Sequence, residues 1–443
     1  MKAKKFGIIA LVLAIALLIA PISESKAEEE LDVKTSGDYE YIVLDDGTAY
    51  ITHYNGNDEK VIIPEKLDGI RVTGIWDYAF WDKTNLKEIT ISDSVESIGI
   101  NPFAQCKNLL NINISANHPT LFFIDNALFY KPEKKIVSYL SASEESKYEI
   151  PKGIKIIGDE AFFECKNLEE IKIPDSVQLL GDRVFSGCDN LKKINIPDSV
   201  QSIGNSAFFK CTNLTEIKIL NGVQSIGDSA FSLCNNLTEI NIPDGVQSIG
   251  DRAFSFCINL TEITIPNSVE NIGENPFYEC GKLLNVNISA DHPTLEFIDN
   301  ALIYKPEKKI VSYLSASKES KYEIPDGIES IGEWAFSECI NLTEIKIPDS
   351  VQSIGDLAFK LCINLTEINI PDSVQSIGEG AFSCCKNIKK INIPASVKTI
   401  GENAFKECDN IKITVAKDSY AEKYCQENNI NHMYEDSWDW LKN

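Results

Sequence analysis

Apolar residues recur along this chain with a fixed period of 23 residues. Each period reads Ile-Gly-Asp-x-Ala-Phe-x-x-Cys-x-Asn-Leu-x-Glu-Ile-x-Ile-Pro-Asp-Ser-Val-x-Ser. A repeat of this length is typical of a solenoid, in which each unit is one coil that buries its apolar edge by stacking on its neighbours. The period therefore predicts a β-rich repeat solenoid of leucine-rich-repeat-like α/β coils. The phenylalanine of the unit falls at Phe80, Phe103, Phe162, Phe185, Phe208, Phe231, Phe254, Phe277, Phe336, Phe359, Phe382 and Phe405.

Within one unit, the alternation of apolar and polar residues predicts two short strands. Ile240 and Ile242 alternate with polar neighbours, so both are expected to point into the core. Pro243 has no N–H group and ends the first strand. After the second strand, Gly250 supplies a turn that a Cβ atom would disfavour. Asp251 then suits the cap of a single helical turn, so each coil is expected to combine two strands with one such turn.

Two gaps of 59 residues between successive repeat phenylalanines interrupt the spacing. The segments 101–151 and 275–325, which cover most of these gaps, match at 42 of 51 positions. A block of 174 residues is therefore duplicated. Strand-like alternation continues inside the gaps, near 115–150 and 289–324, and it predicts inserted coils that continue the solenoid.

The ends of the chain depart from the repeat. Basic residues before the uncharged run Phe6–Ile22, and small residues around Ala27, are typical of a cleaved secretory signal. An uncleaved membrane anchor is the alternative. The signal predicts a secreted, extracellular or cell-surface protein with no stable membrane span after cleavage. The expected organisation is a signal peptide at 1–27, an N-terminal β cap at 28–70, a leucine-rich repeat solenoid at 71–415, and a C-terminal cap and tail at 416–443.

Eleven of the 13 cysteines lie three residues after a repeat phenylalanine, so they form one column along the solenoid. Their Cα–Cβ vectors run parallel, whereas a disulfide needs the vectors to converge. The column is therefore predicted to be a buried ladder of reduced thiols. Metal binding is not expected, because no Cys-x-x-Cys pair or nearby His completes a ligand set. Cys384 and Cys425 lie outside the column and are the better candidates for a reactive or bridging thiol.

Composition and motifs argue against several function classes. The net charge of −24 repels the phosphates of nucleic acids, so no nucleic-acid partner is expected. Only four histidines occur, and no Gly-rich phosphate loop or metal-ligand motif appears. The carboxylates obey the repeat, whereas a catalytic site would break it. We therefore expect no enzyme activity, no catalytic residues and no cofactor.

Two surfaces are candidates for a ligand-binding face. One is the row of polar residues on the first strand of each coil, which suits an extended protein or glycan, although such a row can also be a solvated sheet surface. The other is a set of aromatic residues at variable positions of the predicted helical turn, because exposed aromatic clusters mark interfaces. The candidate contacts are Lys172, Asn195, Lys218, Asn241, Lys346 and Asn369 on the strands, and Trp334 and Tyr278, with Trp81, Phe163, Phe209 and Phe256, on the turns.

The repeat resembles one known family. The Ile-Gly-x-x-Ala-Phe-x-x-Cys unit, the Ile-Pro-Asp-Ser-Val connection and the Ile-Asp-Asn-Ala-Leu insertion are similar to those of BspA-like leucine-rich repeat proteins, over about residues 37–434. The resemblance implies a secreted or surface-exposed microbial protein, and some members act as adhesins. We therefore expect a binding protein for an extracellular protein or glycan, in adhesion or host interaction. The alternative is a structural envelope protein or self-associating scaffold without a dedicated ligand.

Overall fold

The computed structural model describes residues 32–409 and 411–434. In this part of the chain, successive coils stack into a β-solenoid, which confirms the predicted repeat architecture. The predicted signal peptide and the Trp438–Trp440 tail lie outside the described residues. No helix among the described residues is long and apolar enough to cross a bilayer.

The strands are short, and they fall into three segments. The second and third segments each begin with the strands of an insertion. The first segment contains β1 Lys34–Ser36, β2 Tyr39–Val43, β3 Ala49–Tyr54, β4 Lys60–Ile62, β5 Lys66–Leu67, β6 Ile70–Ile75, β7 Glu88–Thr90, β8 Ser97–Ile98 and β9 Asn111–Asn113. The second contains β10 Leu121–Ile124, β11 Ala127–Tyr130, β12 Lys135–Tyr139, β13 Lys147–Glu149, β14 Ile156–Ile157, β15 Glu170–Lys172, β16 Leu179–Leu180, β17 Lys193–Ile196, β18 Ser202–Ile203, β19 Glu216–Ile219, β20 Ser225–Ile226, β21 Glu239–Asn241, β22 Ser248–Ile249, β23 Glu262–Ile265, β24 Asn271–Ile272 and β25 Asn285–Ile288. The third contains β26 Leu295–Ile298, β27 Ala301–Tyr304, a 3-10 turn Lys305–Glu307, β28 Lys309–Tyr313, β29 Lys321–Glu323, β30 Ser330–Ile331, β31 Glu344–Lys346, β32 Ser353–Ile354, β33 Glu367–Asn369, β34 Ser376–Ile377, β35 Lys390–Ile393, β36 Thr399–Ile400, β37 Lys412–Val415, helix α1 Tyr420–Glu427 and β38 His432–Tyr434.

Each coil contributes one strand to each of two parallel layers. In the second and third segments, the odd-numbered strands from β13 to β25 and from β29 to β37 form the first layer, and the even-numbered strands from β14 to β24 and from β28 to β36 form the second layer. Neighbouring strands pair in a register of one repeat, as Ile194 does with Ile217 and Ser202 with Ser225. The two layers and the Ala-Phe-x-x-Cys turns, which we call the turn column, enclose the core.

The turn column differs from the predicted single helical turn. Successive backbone N–H groups of the turn donate alternately within their own coil and to the next coil. Phe209 N donates to Ser206 O of its own coil at 3.0 Å, whereas Phe208 N donates to Ala230 O of the next coil at 2.7 Å. A helix would use both N–H groups internally. Ser206 and Lys210, four residues apart, adopt left-handed backbone angles with φ of 53° and 60°. Consecutive tight turns therefore replace the helix. They add a third row of hydrogen bonds between coils, beside the two rows of the strand layers.

The glycine and aspartate of the unit also have different roles from those predicted. Gly250 does not have a positive φ; a Cβ there would lie 2.5 Å from the backbone N of Asp228 in the preceding coil. The glycine is required by the close approach of coils. Asp251 does not cap its own turn, because its Oδ1 accepts the N–H of Glu274 one coil later at 2.8 Å.

The core consists of stacked columns of identical residues. The Phe208 and Phe231 rings stack with centroids 5.3 Å apart. Cys234 Sγ donates to Phe208 O at 3.2 Å, and most cysteines of the column repeat this bond. All 13 cysteines are free, and burial raises the pKa of Cys257 to about 12. The predicted ladder of reduced, buried thiols is confirmed.

The insertions continue the solenoid and also divide its core. β12 pairs in parallel with β14 and β13 with β15, and Tyr139 takes the place of a repeat phenylalanine, with its ring 5.1 Å from that of Phe162. β10 and β11 form an antiparallel hairpin, and the two faces of this hairpin pack into different hydrophobic cores. Leu128 packs into the preceding core and Phe129 into the following one. Each insertion is therefore a buried wall, and we call the two walls the first and second junctions.

Both ends of the described chain are covered. In the predicted N-terminal β cap, β2 and β3 form a hairpin with an Asp-Gly turn, and β1 extends it. Helix α1 begins after Ser419, whose side chain accepts the N–H of Glu422, and it packs Ala421 on the last coils. It also buries Cys425 completely, so the expectation that Cys425 is a better candidate for a reactive or bridging thiol than the column is wrong. Cys384 is half-buried, with Sγ 3.4 Å from Glu407 Oε2.

Candidate ligand-binding surfaces

The strand candidates lie in one solvent-exposed row of the first layer. Asn195 and Lys218 are register neighbours on β17 and β19, and Lys172 and Asn241 occupy the same row on β15 and β21. In the third segment, the row continues through Lys346 and Asn369, on β31 and β33. The structure therefore brings the six residues onto one face.

Ion pairs within the layer neutralise two of the three lysines. Lys172 Nζ lies 2.7 Å from Glu149 Oε1, and Lys147 Nζ lies 2.7 Å from Glu170 Oε2 on the same two strands. The third segment repeats this arrangement through Lys346 with Glu323 and Lys321 with Glu344. Among the described residues, Lys218 has no such carboxylate partner. These pairs are exposed to solvent, so each contributes little to stability, but they favour the observed register of adjacent strands.

A shallow groove interrupts this face in the middle of the second segment. β19 and β21 are not paired, and a concavity of about 300 Å³ lies over them. Glu216, Glu239 and Glu262 line it together with Thr215 and Asn241. Within residues 32–409 and 411–434, no group of three or more His, Cys, Asp or Glu side chains is placed to hold a metal ion. The groove is therefore an acidic surface feature.

The aromatic candidates divide into two clusters, one at each junction. At the second junction, the Tyr278 ring lies 5.2 Å from that of Trp334 at 61° and 5.3 Å from that of Phe256 at 86°. We call Phe256, Tyr278 and Trp334 the second-junction cluster. At the first junction, Trp81 and Phe163 lie 6.0 Å apart. Phe209 has no ring contact with either cluster in the described part of the chain.

Two cations accompany the second-junction cluster. Lys360 Nζ lies 4.7 Å from the centroid of the Trp334 ring, and Arg252 Cζ lies 5.9 Å from it. These distances allow cation–π attraction. Neither cation has a carboxylate within 4 Å in the described structure. The indole is half-buried, and its Nε1 donates to Glu333 Oε1 at 2.6 Å.

Tyr278 supports Trp334 from the buried side of the cluster. Only 9% of Tyr278 is exposed, and its hydroxyl donates to Glu338 Oε1 at 3.0 Å. Burial, followed by the charges of Glu338 and Glu279, raises the pKa of Tyr278, so the hydroxyl remains a donor. Trp334 is therefore the exposed member of the cluster, and Tyr278 is mainly its support.

The first junction has the same framework with a neutralised cation. Arg183 Cζ lies 5.0 Å from the Phe163 ring, and its NH1 lies 2.8 Å from Glu160 Oε1. Glu160 is 2% exposed, and burial raises its pKa. The duplicated positions of Glu160 and Arg183 at the second junction are Trp334 and Leu357. The second junction therefore lacks this ion pair.

The backbone at Trp334 is strained. Its φ is 58°, in the left-handed region that a bulky side chain disfavours. Every coil with a repeat phenylalanine has a positive φ at this position; serine, asparagine, arginine or glycine fills it in most of the other coils, and Tyr78, Glu160 and Leu357 fill it in the rest. Strain of this kind persists when the surroundings over-determine it and is common at binding sites.

Sequence reasoning missed four residues of this surface: Arg252, Lys360, Glu279 and Glu338. Their positions in the unit are variable, and the signal that could have found them is the comparison of the two duplicated blocks. In that comparison Tyr278 and Glu279 stand opposite Ala104 and Gln105.

The buried histidines serve the fold. His292 Nδ1 accepts the N–H of Leu295 at 3.0 Å, and its Nε2 lies 3.0 Å from Pro266 O. His118 makes the equivalent contacts at the first junction with Leu121 and Ser92. Both histidines lie in turns of the insertions, and burial lowers the pKa of each.

Two solved structures are similar to this chain. The chain is similar to a leucine-rich cell surface protein from Faecalibacterium prausnitzii, with 28% identity over 91% of this chain and 99% of that chain and a TM-score of 0.48. It is also similar to a leucine-rich repeat protein from Eubacterium ventriosum, with 24% identity over 68% and 77% of the two chains and a TM-score of 0.56. No match was found among the curated proteins.

The repeat itself matches one family over most of the chain. The family described as BspA type leucine rich repeat region matches in six copies, over residues 52–140, 135–245, 224–305 and 309–431. These matches include the first insertion, the second insertion apart from residues 306–308, and every coil that carries a candidate residue. The chain belongs to the BspA-type leucine-rich repeat family.

Proposed function

We propose that this protein is a secreted or cell-surface repeat protein that binds an extracellular protein ligand, in adhesion or host interaction, through the second-junction cluster. The observation that carries the proposal is Trp334, a half-exposed tryptophan on a strained backbone, flanked by two cations without carboxylate partners. Trp, Tyr and Arg are the residues most often responsible for interface energy.

Charge supports a protein rather than a glycan as the ligand. The chain as a whole is acidic, with 66 acidic and 42 basic residues, whereas the exposed surface around Trp334 carries two cations without a carboxylate within 4 Å in the described structure. Lys360 and Arg252 lie over the Trp334 ring and hinder the stacking of a flat sugar face on it. They offer positive charge instead to a carboxylate of a protein ligand. A glycan remains the other ligand class.

The first-layer face is a weaker candidate, because Lys172 and Lys346 are already neutralised by Glu149 and Glu323. If this face carried the ligand, Lys218 would be its free cation. These ion pairs favour the second candidate function, a structural or self-associating scaffold whose layers are held by their own charges.

A binding screen separates these proposals. Wild-type protein is tested against a panel of immobilised extracellular-matrix proteins and a glycan array, beside Trp334→Ala and Lys218→Glu. We expect binding to a protein of the panel, lost in Trp334→Ala and retained in Lys218→Glu. Loss only in Lys218→Glu, with strong dependence on salt, would move the site to the first layer.

The scaffold alternative has its own measurement. Light scattering over a range of protein concentrations should report a monomer if the protein is a dedicated binder. Growth of the mass with concentration, with no ligand in the panel, would favour the scaffold.

A further inference from the structure

The outer face of the second layer carries a cluster of lysines beside the first insertion. Lys134, Lys152 and Lys155 lie on two neighbouring coils, which are joined here by a hydrogen bond of 2.9 Å from Lys155 N to Lys134 O. Lys134 and Lys152 are exposed, and Lys155 is half-buried. In the described part of the chain, no carboxylate lies within 4 Å of these three ammonium groups. We call the three lysines the basic patch.

The duplicated positions beside the second insertion carry the opposite charge. Lys308 is retained there, but Asp326 and Glu329 replace the other two lysines. Asp326 is exposed and Glu329 is half-buried, as the lysines at the equivalent places are. Lys308 is neutralised, because its Nζ lies 2.5 Å from Glu329 Oε1. We call Asp326 and Glu329 the acidic patch.

Between the two patches, the outward row of the second layer holds four exposed glutamines on consecutive coils. The backbone N–H of each donates to the residue one coil earlier at 2.7–3.0 Å, so the row is in strict register. None of the four side chains has a hydrogen-bond partner among the described residues. Because an amide both donates and accepts, this row can pair with a second copy of itself. The four residues are Gln178, Gln201, Gln224 and Gln247.

We propose that two copies of this protein pair in antiparallel orientation through their second layers, with the basic patch of each copy against the acidic patch of the other. The inference rests on the second candidate function, self-association, to which it gives a surface and a stoichiometry. A twofold axis that runs across the solenoid places Lys152 opposite Asp326 and Lys155 opposite Glu329, and each pairing occurs twice. Such a self-complementary interface closes at two chains.

Charge and shape both select the antiparallel arrangement. In a parallel pair, Lys152 and Lys155 would face their own copies, and like charges in an interface oppose association. The acidic patch is also recessed, since Glu329 and Asp349 line a shallow concavity of about 470 Å³ that can receive the Lys155 side chain. The chain has a net charge of −24, so a basic patch is the scarce partner that fixes where a second copy can dock.

The test combines light scattering with cross-linking of the whole protein by a carbodiimide, which joins an amine to a nearby carboxylate. We expect the mass to rise with concentration to that of two chains and no further, and peptide mass spectrometry to find Lys152 joined to Asp326. Within one chain, at least six coil spacings separate these residues, which is about 30 Å. The cross-link therefore reports two copies.

Charge reversal then identifies the surface. Lys152→Asp with Lys155→Glu makes both patches acidic, whereas Asp326→Lys with Glu329→Lys makes both basic. The fold should tolerate both variants, because each new charge already stands at the equivalent place in the other duplicated block. Each variant alone should pair at least about tenfold more weakly, since like charges then face each other.

A mixture of these two variants should pair again, because the acidic copy then faces the basic one. Lys218→Glu, a charge reversal on the first layer, is the control and should leave the pairing unchanged. A wild type that stays monomeric at every concentration, or a mixture that does not pair, would overturn the proposal. Mass that grows equally in all variants would remove this surface and leave the second candidate function standing. Neither result bears on ligand binding at Trp334, which Trp334→Ala tests separately.

Discussion

The two junctions are copies of one design whose surfaces have diverged. Their insertions match at 42 of 51 positions, and Tyr139 and Tyr313 each stack at 5.1 Å on the next phenylalanine. On the surface, however, the first junction buries Glu160 against Arg183, whereas the second presents Trp334 beneath two cations without carboxylate partners.

The difference teaches how a repeat protein can gain a site without changing its fold. The hydrogen bonds of the turn column are made by backbone groups, so they do not depend on the side chain at the left-handed position. That position can hold Glu160 in one copy and Trp334 in the other. The first junction is therefore a closed, structural surface and the second an open one.

The largest loss of stability is expected when the buried tyrosine of an insertion is removed, and this loss should be the same at both junctions. Tyr139→Ala and Tyr313→Ala each remove a buried ring from the wall between two cores, at a cost of about 3–5 kcal/mol in the free energy of unfolding. Chemical denaturation and hydrogen exchange of the adjacent coils would measure both. A difference between the two variants of more than about 2 kcal/mol would contradict the claim that the frameworks are equivalent.

A smaller loss of stability should differ between the two junctions. Arg183→Ala leaves the buried Glu160 without its partner and should cost about 3 kcal/mol, at the low end for a broken buried pair because 36% of the arginine side chain is exposed. The equivalent change, Leu357→Ala, removes only a half-exposed aliphatic group and should cost about 1 kcal/mol. Equal costs in denaturant titrations would mean that the first junction is not closed by its ion pair.

The smallest effect on stability is expected at Trp334 itself. Trp334→Asn loses ring contacts but places at a φ of 58° a residue that tolerates the left-handed region. The two contributions oppose each other, so the free energy of unfolding should stay within about 1 kcal/mol of the wild type. A loss above about 3 kcal/mol would show that Trp334 is a core residue rather than a surface anchor.

The sequence predicted the fold well, because each column is one position of the repeat. The strand positions of Ile240 and Ile242, the buried cysteines and the coil formed by each insertion all follow from period and alternation. The predicted helical turn was wrong, since residues such as Asp251 and Phe208 form hydrogen bonds with neighbouring coils. The sequence of a single unit does not show which groups of the neighbouring coils are available as hydrogen-bond partners. Long-range hydrogen bonding replaced the local cap.

The site was predicted only in outline. The meeting of Tyr278 and Trp334, 56 residues apart, depends on how the insertion folds between them. The cancellation of the Lys172 charge by Glu149 depends on the strand register. Neither follows from residue type alone, because opposite charges on a repeated strand are compatible with both a ligand face and a solvated one.

The central claim is that the second junction binds the ligand while the first does not. The most direct measurement compares dissociation constants of Trp334→Ala and Trp81→Ala for a matrix protein that the wild type binds. Removing a hot-spot anchor of about 2 kcal/mol or more should weaken binding roughly 30-fold in Trp334→Ala. Trp81→Ala should change it less than about threefold. Equal losses in the two variants, or a loss confined to Trp81→Ala, would contradict the account.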